Sequence, residues 1–590
     1  MSDLITWRGG NRSDDKRTDV LLLLSGGNNM DRRNLRSDRV SCLWAFVSAS
    51  SAFEWKGELE MALFTIQNLT FAYPDEKPCL KDITCRIEEG ELILLLGDSG
   101  SGKTTLLKHL KPQLTPYGKR EGSICFDGKE LLTGKQKQGA LEIGYVFQNP
   151  ADQIVTDKVW HELAFGLENL GLSQKDMEQR IAEVVSYFGM EEWLYKDTSS
   201  LSGGQMQQLN LAAVLAMQPQ VILLDEPTSQ LDPIAAKQFL FLVKQLKEEL
   251  GVTVILSEHR NDIVYPMADK VAYLRQGELA FFGDRREAVT ALSDSVPSAL
   301  PTVTRIYAGM EQLPYEQIPF DLARGRRWLK SKVNTRVEES ADAIQKRRAK
   351  LKQRNKGKKI EPAIKVKELF FRYERHGRDI IKQLSLTINQ GECFGIMGGN
   401  GSGKSTILRL LAGMERPYTG KIKLMGQTIY LSQNPQNHFT KEKVEKELIS
   451  VDSNRIEDFG LMELKNQHPY DLSGGQQQLL ALLKVLQQEG EILLLDEPAK
   501  GLDVKNREKL GQMIKSFCSS GKTVVLVTHD VEFAARYCDR VGMLFDGKVI
   551  GASDTRAFFL ENQFYTTITR RLTKGLLPSM LLEEEVKLSE

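Results

Sequence analysis

GDSGSGKTT, Gly97–Thr105, and GGNGSGKST, Gly398–Thr406, read almost alike and lie about half a chain apart. Each meets the pattern G-x-x-x-x-G-K-[ST], and each stands between an apolar run of strand length and a helical run. In that setting the glycines let successive backbone N–H groups turn inward around phosphate oxygens, and the following helix adds its positive end. Lys103 and Lys404 are then placed to reach the β- and γ-phosphates of a nucleotide, and Thr104 and Ser405 to ligate Mg²⁺. Gly97, Gly100, Gly102 and Thr105, with Gly398, Gly401, Gly403 and Thr406, complete the candidate ATP contacts of the two loops.

Working outward, the two parts of the chain match at six places in the same order. An aromatic comes first, Tyr73 in FAYP and Tyr373 in FRYE, and the glycine loops follow. FQNP with Gln148 then matches SQNP with Gln433, and LSGGQ occurs at Leu201–Gln205 and again at Leu472–Gln476. VILLDEP (Val221–Pro227) is echoed by ILLLDEP (Ile492–Pro498), and ILSEHR with His259 by VLVTHD with His529. Chance does not give that order twice; the chain is an internal duplication. Each half alternates short β-branched or Leu-rich runs with polar-apolar helical stretches, which is the α/β class. A mostly helical insert lies between Gln148 and Ser202, and the matching gap from Gln433 to Ser473 is shorter.

Asp225 and Asp496 end apolar strands, where a carboxylate can hold a Mg²⁺ shell together with Thr104, Ser405, Gln148 and Gln433. Glu226 and Glu497 follow directly and are placed to polarise an attacking water. An isolated Asp-Glu pair is more often a solvated strand end, but this one recurs after a short apolar strand and before Pro in both halves. His259 and His529 close further strands at matching places, suited to the γ-phosphate. Tyr73 and Tyr373 are candidates to stack on adenine, against the plainer reading of an aromatic that belongs to the core.

P-loops occur in many unrelated nucleotide hydrolases. LSGGQ, between a glutamine loop and the Asp-Glu strand, resembles the ATP-binding cassette (ABC) family over Met61–Gly283 and Ile364–Gly551. The resemblance implies two tandem P-loop NTPase cassettes, each with a RecA-like core and a helical subdomain, packed head to tail. ATP on Lys103 would then be closed by Ser473, Gly474, Gly475 and Gln476, and ATP on Lys404 by Ser202, Gly203, Gly204 and Gln205. The chain would be its own dimer, with intramolecular pairing in place of a homodimer. Two departures stand out: the family's Arg after the signature is Gln208 in one half and Leu479 in the other, and the loops after the Asp-Glu strands read SQLD (Ser229–Asp232) and KGLD (Lys500–Asp503). Neither removes a catalytic group, so both sites are expected to hydrolyse ATP.

The chain has 590 residues, 27% charged and 41% hydrophobic, with a net charge of +1, so no global charge favours a nucleic acid. Its seven cysteines form no C-x-x-C pair, which argues against a zinc or iron–sulfur site and for a reducing compartment. No segment approaches the roughly 18–20 apolar residues of a membrane span, so any membrane part must come from another chain. Residues 1–60 lack periodicity and a signal-peptide layout. Lys56-Gly57-Glu58 could be encoded by a purine-rich run resembling a bacterial ribosome-binding site, so the expected native start is Met61 and residues 1–60 a leader; a real N-terminal extension is the alternative. The domain reading is cassette 1 over 61–290, a basic helical linker over 291–362, cassette 2 over 363–575 and an acidic tail over 576–590. The linker, with RGRRWLKSK and QKRRAKLKQRNKGKK, reads as a solvated tether, with a membrane surface or RNA phosphates as its other possible partners.

Within the family the chain looks most like the ATPases of energy-coupling-factor importers of vitamins and transition-metal ions. QNPADQ (Gln148–Gln153) fits their motif after the loop glutamine, QNPQNH (Gln433–His438) fits partly, and SEHR (Ser257–Arg260) also resembles that group. Sugar-importer ATPases are a nearby alternative. The resemblance implies work at the cytoplasmic face of the cell membrane. Partners would be a transmembrane coupling subunit and small substrate-binding membrane proteins, with no specific nucleic acid and no contact between this chain and the substrate. A soluble tandem cassette acting on ribosomes is the second reading, supported by the linker but not by TSQLD and AKGLD. A DNA-repair ATPase is third and lacks the coiled coils or zinc modules such proteins insert.

Overall fold

LILLLG at Leu92–Gly97 is buried along almost its whole length, as a continuous apolar run in a doubly covered parallel strand must be. The computed structural model describes residues 62–131, 141–310, 315–333, 361–449, 451, 453–577 and 579–586. The reading of residues 1–60 as a leader and the second part of the basic linker lie outside the described residues.

In chain order the first repeat contributes β1 (Phe64–Ala72), β2 (Leu80–Ile87), β3 (Leu92–Gly97), β4 (Lys119–Phe126), β5 (Lys129–Glu130), β6 (Ile143–Val146), β7 (Val221–Asp225), β8 (Thr253–Ser257), β9 (Lys270–Arg275) and β10 (Glu278–Asp284). Strands β2-β1-β4-β5 form an antiparallel sheet. The main sheet has the order β10-β9-β3-β8-β7-β6, parallel except at its β10 edge.

The second repeat supplies β11 (Pro362–Phe371), β12 (Ile381–Asn389), β13 (Cys393–Met397), β14 (Thr419–Leu424), β15 (Thr428–Leu431), β16 (Ile492–Asp496), β17 (Thr523–Val527), β18 (Arg540–Phe545) and β19 (Lys548–Asp554). Its main sheet, β15-β16-β17-β13-β18-β19, has the same connectivity, and β12-β11-β14 form its small antiparallel sheet. Both repeats are α/β cassettes of the P-loop NTPase type, with helices packed on a RecA-like parallel sheet. In each, β3 or β13 runs between strands on both sides, and the loops at the carboxyl ends of the parallel strands meet over it, where open α/β sheets bind ligands.

The helical subdomains differ in size. In cassette 1 it holds Val159–Asn169 and Gln174–Phe188, with Val159, Leu163, Val185 and Phe188 facing the signature helix Gly203–Ala216. In cassette 2, among the described residues, the α-helices before the signature helix Gly474–Leu486 are the short Val444–Glu447 and Ser453–Asp458. Gln208, in place of the family's Arg, donates from Nε2 to Phe188 O at 2.8 Å, and Leu479 is buried. Gln208 thus ties the signature helix to the subdomain, and Leu479 joins the core of cassette 2.

The first part of the linker is docked, unlike the solvated tether expected from its charge. Helices Thr302–Ala308 and Leu322–Lys332 meet Ile568–Thr573 from the far end of the chain, in a small core of Val303, Ile306, Leu329, Leu572, Leu577 and Val586. A Cβ on Gly325 would lie 2.3 Å from Val303 Cγ1, so only glycine admits this approach. The tail is held by charge. Arg305 grips Glu583 through Nε and Nη2 at 2.7–3.0 Å, and Glu584 and Glu585 pair with Arg536 and Arg556. The physical reason is that an apolar stripe within the basic run decides its packing while the charges stay at the rim.

Candidate functional site

The two glycine loops adopt the same conformation. Gly97, Gly100 and Gly102 have φ of 150°, 78° and 101°, and Gly398, Gly401 and Gly403 have 154°, 72° and 100°. A side chain on Gly97 would collide with Leu274 O at 2.4 Å, whereas Gly100 faces open space. Lys103 Nζ donates to Gly97 O and Asp98 O at 2.8 and 3.1 Å, and Lys404 Nζ to Gly398 O and Gly399 O at 3.0 and 2.9 Å. Burial lowers both ammonium groups from their ordinary value, against the pull of the carboxylates nearby.

Tyr73 and Tyr373 stand over the start of the loop helices. Their hydroxyls lie 3.2 Å from Thr105 Oγ1 and 3.0 Å from Thr406 Oγ1. Each ring sits edge-on to the preceding Phe71 or Phe371, which leaves a face for a planar group.

The carboxylates at the strand ends are set differently in the two cassettes. Asp225 accepts from Thr104 Oγ1, Ser257 Oγ and Tyr145 OH, each at 3.1 Å. Asp496 occupies the same place with both oxygens buried and no hydrogen bond formed, although Ser405 and Tyr430 are close enough to favour its charge. Burial raises both carboxyl groups. Glu226 accepts from Gln148 Nε2 at 2.7 Å and meets His259 Nε2 at 2.9 Å. Burial works to raise the Glu226 carboxyl, and His259 and Lys103 outweigh it, so it stays below its ordinary value.

Gln433 makes no such bond to Glu497. Instead Glu497 Oε2 accepts from the His529 backbone N–H at 3.3 Å, while His529 Nε2 stands 3.2 Å from Oε1 without bonding it. Burial pushes the Glu497 carboxyl up to about 7 and, with Lys404, drives the His529 imidazole down to about 3. Glu226 and Glu497 share one backbone feature, a positive φ of 43° and 52°.

Both signature motifs begin helices with reciprocal capping boxes, Ser202 with Gln205 and Ser473 with Gln476. Ser202 and Ser473 are exposed, so their helix starts are open to a ligand. The cassettes approach head to tail. A Cβ on Gly475 of the second signature would come 3.5 Å from Ser99 Oγ in the first glycine loop. Reciprocally, Asn400 N in the second loop donates to Asp232 Oδ2 of the first cassette at 3.4 Å. From the second cassette, the Asp503 carboxylate lies near enough to Lys103 to favour its charge. Lys500 Nζ bonds Gln230 Oε1 across the seam, beside a cavity of about 1990 Å³ that Glu226, His259, Glu497 and His529 line.

Asp232, Asp503, Ser257, Tyr145, Gln230 and Lys500 were absent from the sequence reading of the site. The signal for the two aspartates was present: both SQLD and KGLD end in Asp, and both aspartates cap the next helix. The second half of the glutamine-loop motif is also explained. Gln153 Oε1 accepts from Phe147 N at 3.0 Å, and at the same position His438 Nε2 accepts from Ser432 N at 3.0 Å. His438 therefore reproduces the bond that the partial motif had put in doubt.

Comparison with known proteins agrees with this geometry. A family model described as ABC transporter matches residues 80–229 and 381–500. A Bacillus cereus protein named an ABC transporter ATP-binding protein is 41% identical, over 88% of this chain and 97% of its own length. A Bacillus subtilis protein, YkoD, named for HMP/thiamine import as an ATP-binding protein, is 30% identical, over 89% of this chain and 97% of its own. A solved archaeal ribosome recycling factor shares the fold at a TM-score of 0.52 and 21% identity, covering 84% of this chain and 90% of that one. Duplicated nucleotide loops, duplicated signatures and full-length relatives lead to one conclusion: the chain belongs to the ABC transporter family, as a two-cassette ATPase.

Proposed function

We propose that the chain is the ATP-hydrolysing motor of an importer of the energy-coupling-factor type, with two competent composite sites. The observation that carries the importer reading is the full-length similarity to an HMP/thiamine import ATP-binding protein. The bond shared by Gln153 and His438 in the two glutamine loops supports it. Domain limits of 61–290 and 363–575 are proposed for the cassettes. The membrane partners would be a polytopic coupling subunit and small substrate-binding proteins, engaged at the cytoplasmic face. Among the described residues no helix is long and apolar enough to cross a membrane. The unequal helical subdomains offer such a subunit two unequal docking sites.

In this reading the glycine loops cradle the phosphates, and Lys103 and Lys404 exchange their carbonyl partners for β- and γ-phosphate oxygens. Tyr73 and Tyr373 stack on adenine. Ser473–Gln476 cover the first nucleotide and Ser202–Gln205 the second. The donor set fits Mg²⁺: the buried Asp496 carboxylate lacks a formed hydrogen bond, and Asp225 with Thr104 presents a carboxylate and a hydroxyl side by side. Those residues, with Ser405, Gln148 and Gln433, would hold the ion, which supplies charge neutralisation at the transferring phosphoryl group. Glu226 and Glu497 take a proton from the attacking water at a carboxylate oxygen, and His259 and His529 face the γ-phosphate. Differential affinity of ATP for the closed pair of cassettes then drives the membrane partner.

The test is an affinity pull-down from detergent-solubilised native membranes with mass spectrometry. One polytopic subunit with several small membrane proteins is the expected result. Ribosomal proteins and rRNA, with no membrane protein, would overturn the transport reading.

A further inference from the structure

The two cassettes hold their glutamates differently, and the difference lies one layer behind the reacting groups. In cassette 1, Glu258 directly precedes His259 and is 3% exposed, while Thr228, two residues past Glu226, is fully buried. Glu258 Oε1 accepts from the Thr228 hydroxyl, and Oε2 accepts from the His259 backbone N–H at 3.0 Å. The carboxyl group thus ties the end of β8 to the loop that leaves β7. Ser257 extends the tie: its carbonyl accepts from Glu226 N at 3.0 Å, and its hydroxyl donates to Asp225.

In cassette 2 the equivalent positions are Val527, Thr528 and Ala499, so the side-chain bonds made by Ser257, Glu258 and Thr228 have no counterpart. Thr528 Oγ1 accepts from Asp530 N instead. The His529 backbone N–H turns to the catalytic position itself, Glu497 Oε2. In cassette 1 Glu258 takes that N–H, which leaves both oxygens of Glu226 to His259 Nε2 and Gln148 Nε2.

We propose that Glu258 and Thr228 are positioning residues that hold Glu226, His259 and Gln148 in register for water activation, so that the site on Lys103 turns over faster than the site on Lys404. The inference rests on Glu226 and Glu497 serving as the bases of the two sites. Glu258 acts through the backbone of His259 and the loop of Glu226.

Single-site backgrounds test it on the full chain, with steady-state ATP hydrolysis as the readout. With Glu497→Gln silencing the second site, Glu258→Thr plus Thr228→Ala should lower kcat about tenfold, the order expected when a supporting shell is lost. KM for ATP should not move, because Lys103 and Tyr73 are untouched. Glu258→Gln should rescue most of the rate, since its amide can still accept from His259 N–H and bond Thr228. With Glu226→Gln silencing the first site, Ala499→Thr plus Thr528→Glu should raise kcat of the second, a gain that misfolding cannot imitate. The proposal is overturned if cassette 1 carrying the two substitutions keeps its kcat, or if kcat and KM fall together without rescue, or if the transplanted pair gives cassette 2 no gain. If Glu226→Gln added to the Glu497→Gln background leaves turnover unchanged, the assignment of the bases fails instead.

Discussion

At the scale of single residues, the account rests on two glutamates with unlike surroundings. Glu226→Gln and Glu497→Gln should each lower ATP turnover, and the pair together by on the order of 10²–10⁴, the loss of a general base; unchanged turnover in the double variant would refute their role. Their pH dependence should differ in a fixed direction. A base works only when ionised, and burial keeps Glu497 protonated up to about 7, whereas His259 and Lys103 hold Glu226 below its ordinary value. The Glu226→Gln protein, working through Glu497, should therefore lose rate as pH falls through about 7. The Glu497→Gln protein should keep its rate to lower pH, and superimposable acid limbs would contradict this. Lysines, aspartates, glutamates and histidines of the candidate site stand out in the sequence because each lies in contiguous text that occurs twice. Thr228 with Glu258, and Ser257 with Asp225, do not. Their bonds join strands that are neighbours in the sheet and about 30 residues apart in the chain, and no spacing in one sequence marks them.

At the scale of elements, alternating apolar and helical runs revealed two α/β repeats, and the shorter second insert was visible as a shorter gap. Charge misled at the linker. In RGRRWLKSK the basic side chains hide the fact that Leu329 is fully buried and Trp328 packs beside it. Leu329→Ala should cost about 2–5 kcal/mol of stability by leaving a cavity in the small core it shares with Leu572 and Val303, read as a lowered midpoint in denaturant unfolding. Gly325→Val should separate helices Thr302–Ala308 and Leu322–Lys332, because a Cβ alone already meets Val303 at 2.3 Å. Faster proteolysis of the linker region is the expected sign, and a cleavage rate equal to the parent's would show that the helices are not held there.

At the scale of the whole molecule, duplication and head-to-tail packing belong together in the proposed reading: each cassette would supply half of each site. The repeated motifs made the pairing legible, but not the means of contact. Asp232 reaching Asn400, and Lys500 reaching Gln230, connect residues 168 and 270 positions apart in the chain and depend on how the cassettes dock. The most direct measurement is ATP turnover in the Glu497→Gln background, where the site on Lys103 alone is active, after adding Ser473→Arg or Ser202→Arg. Crosswise sites predict that Ser473→Arg abolishes the remaining turnover while Ser202→Arg spares it. Loss with Ser202→Arg and survival with Ser473→Arg would mean that each cassette closes its own nucleotide, and would contradict the account.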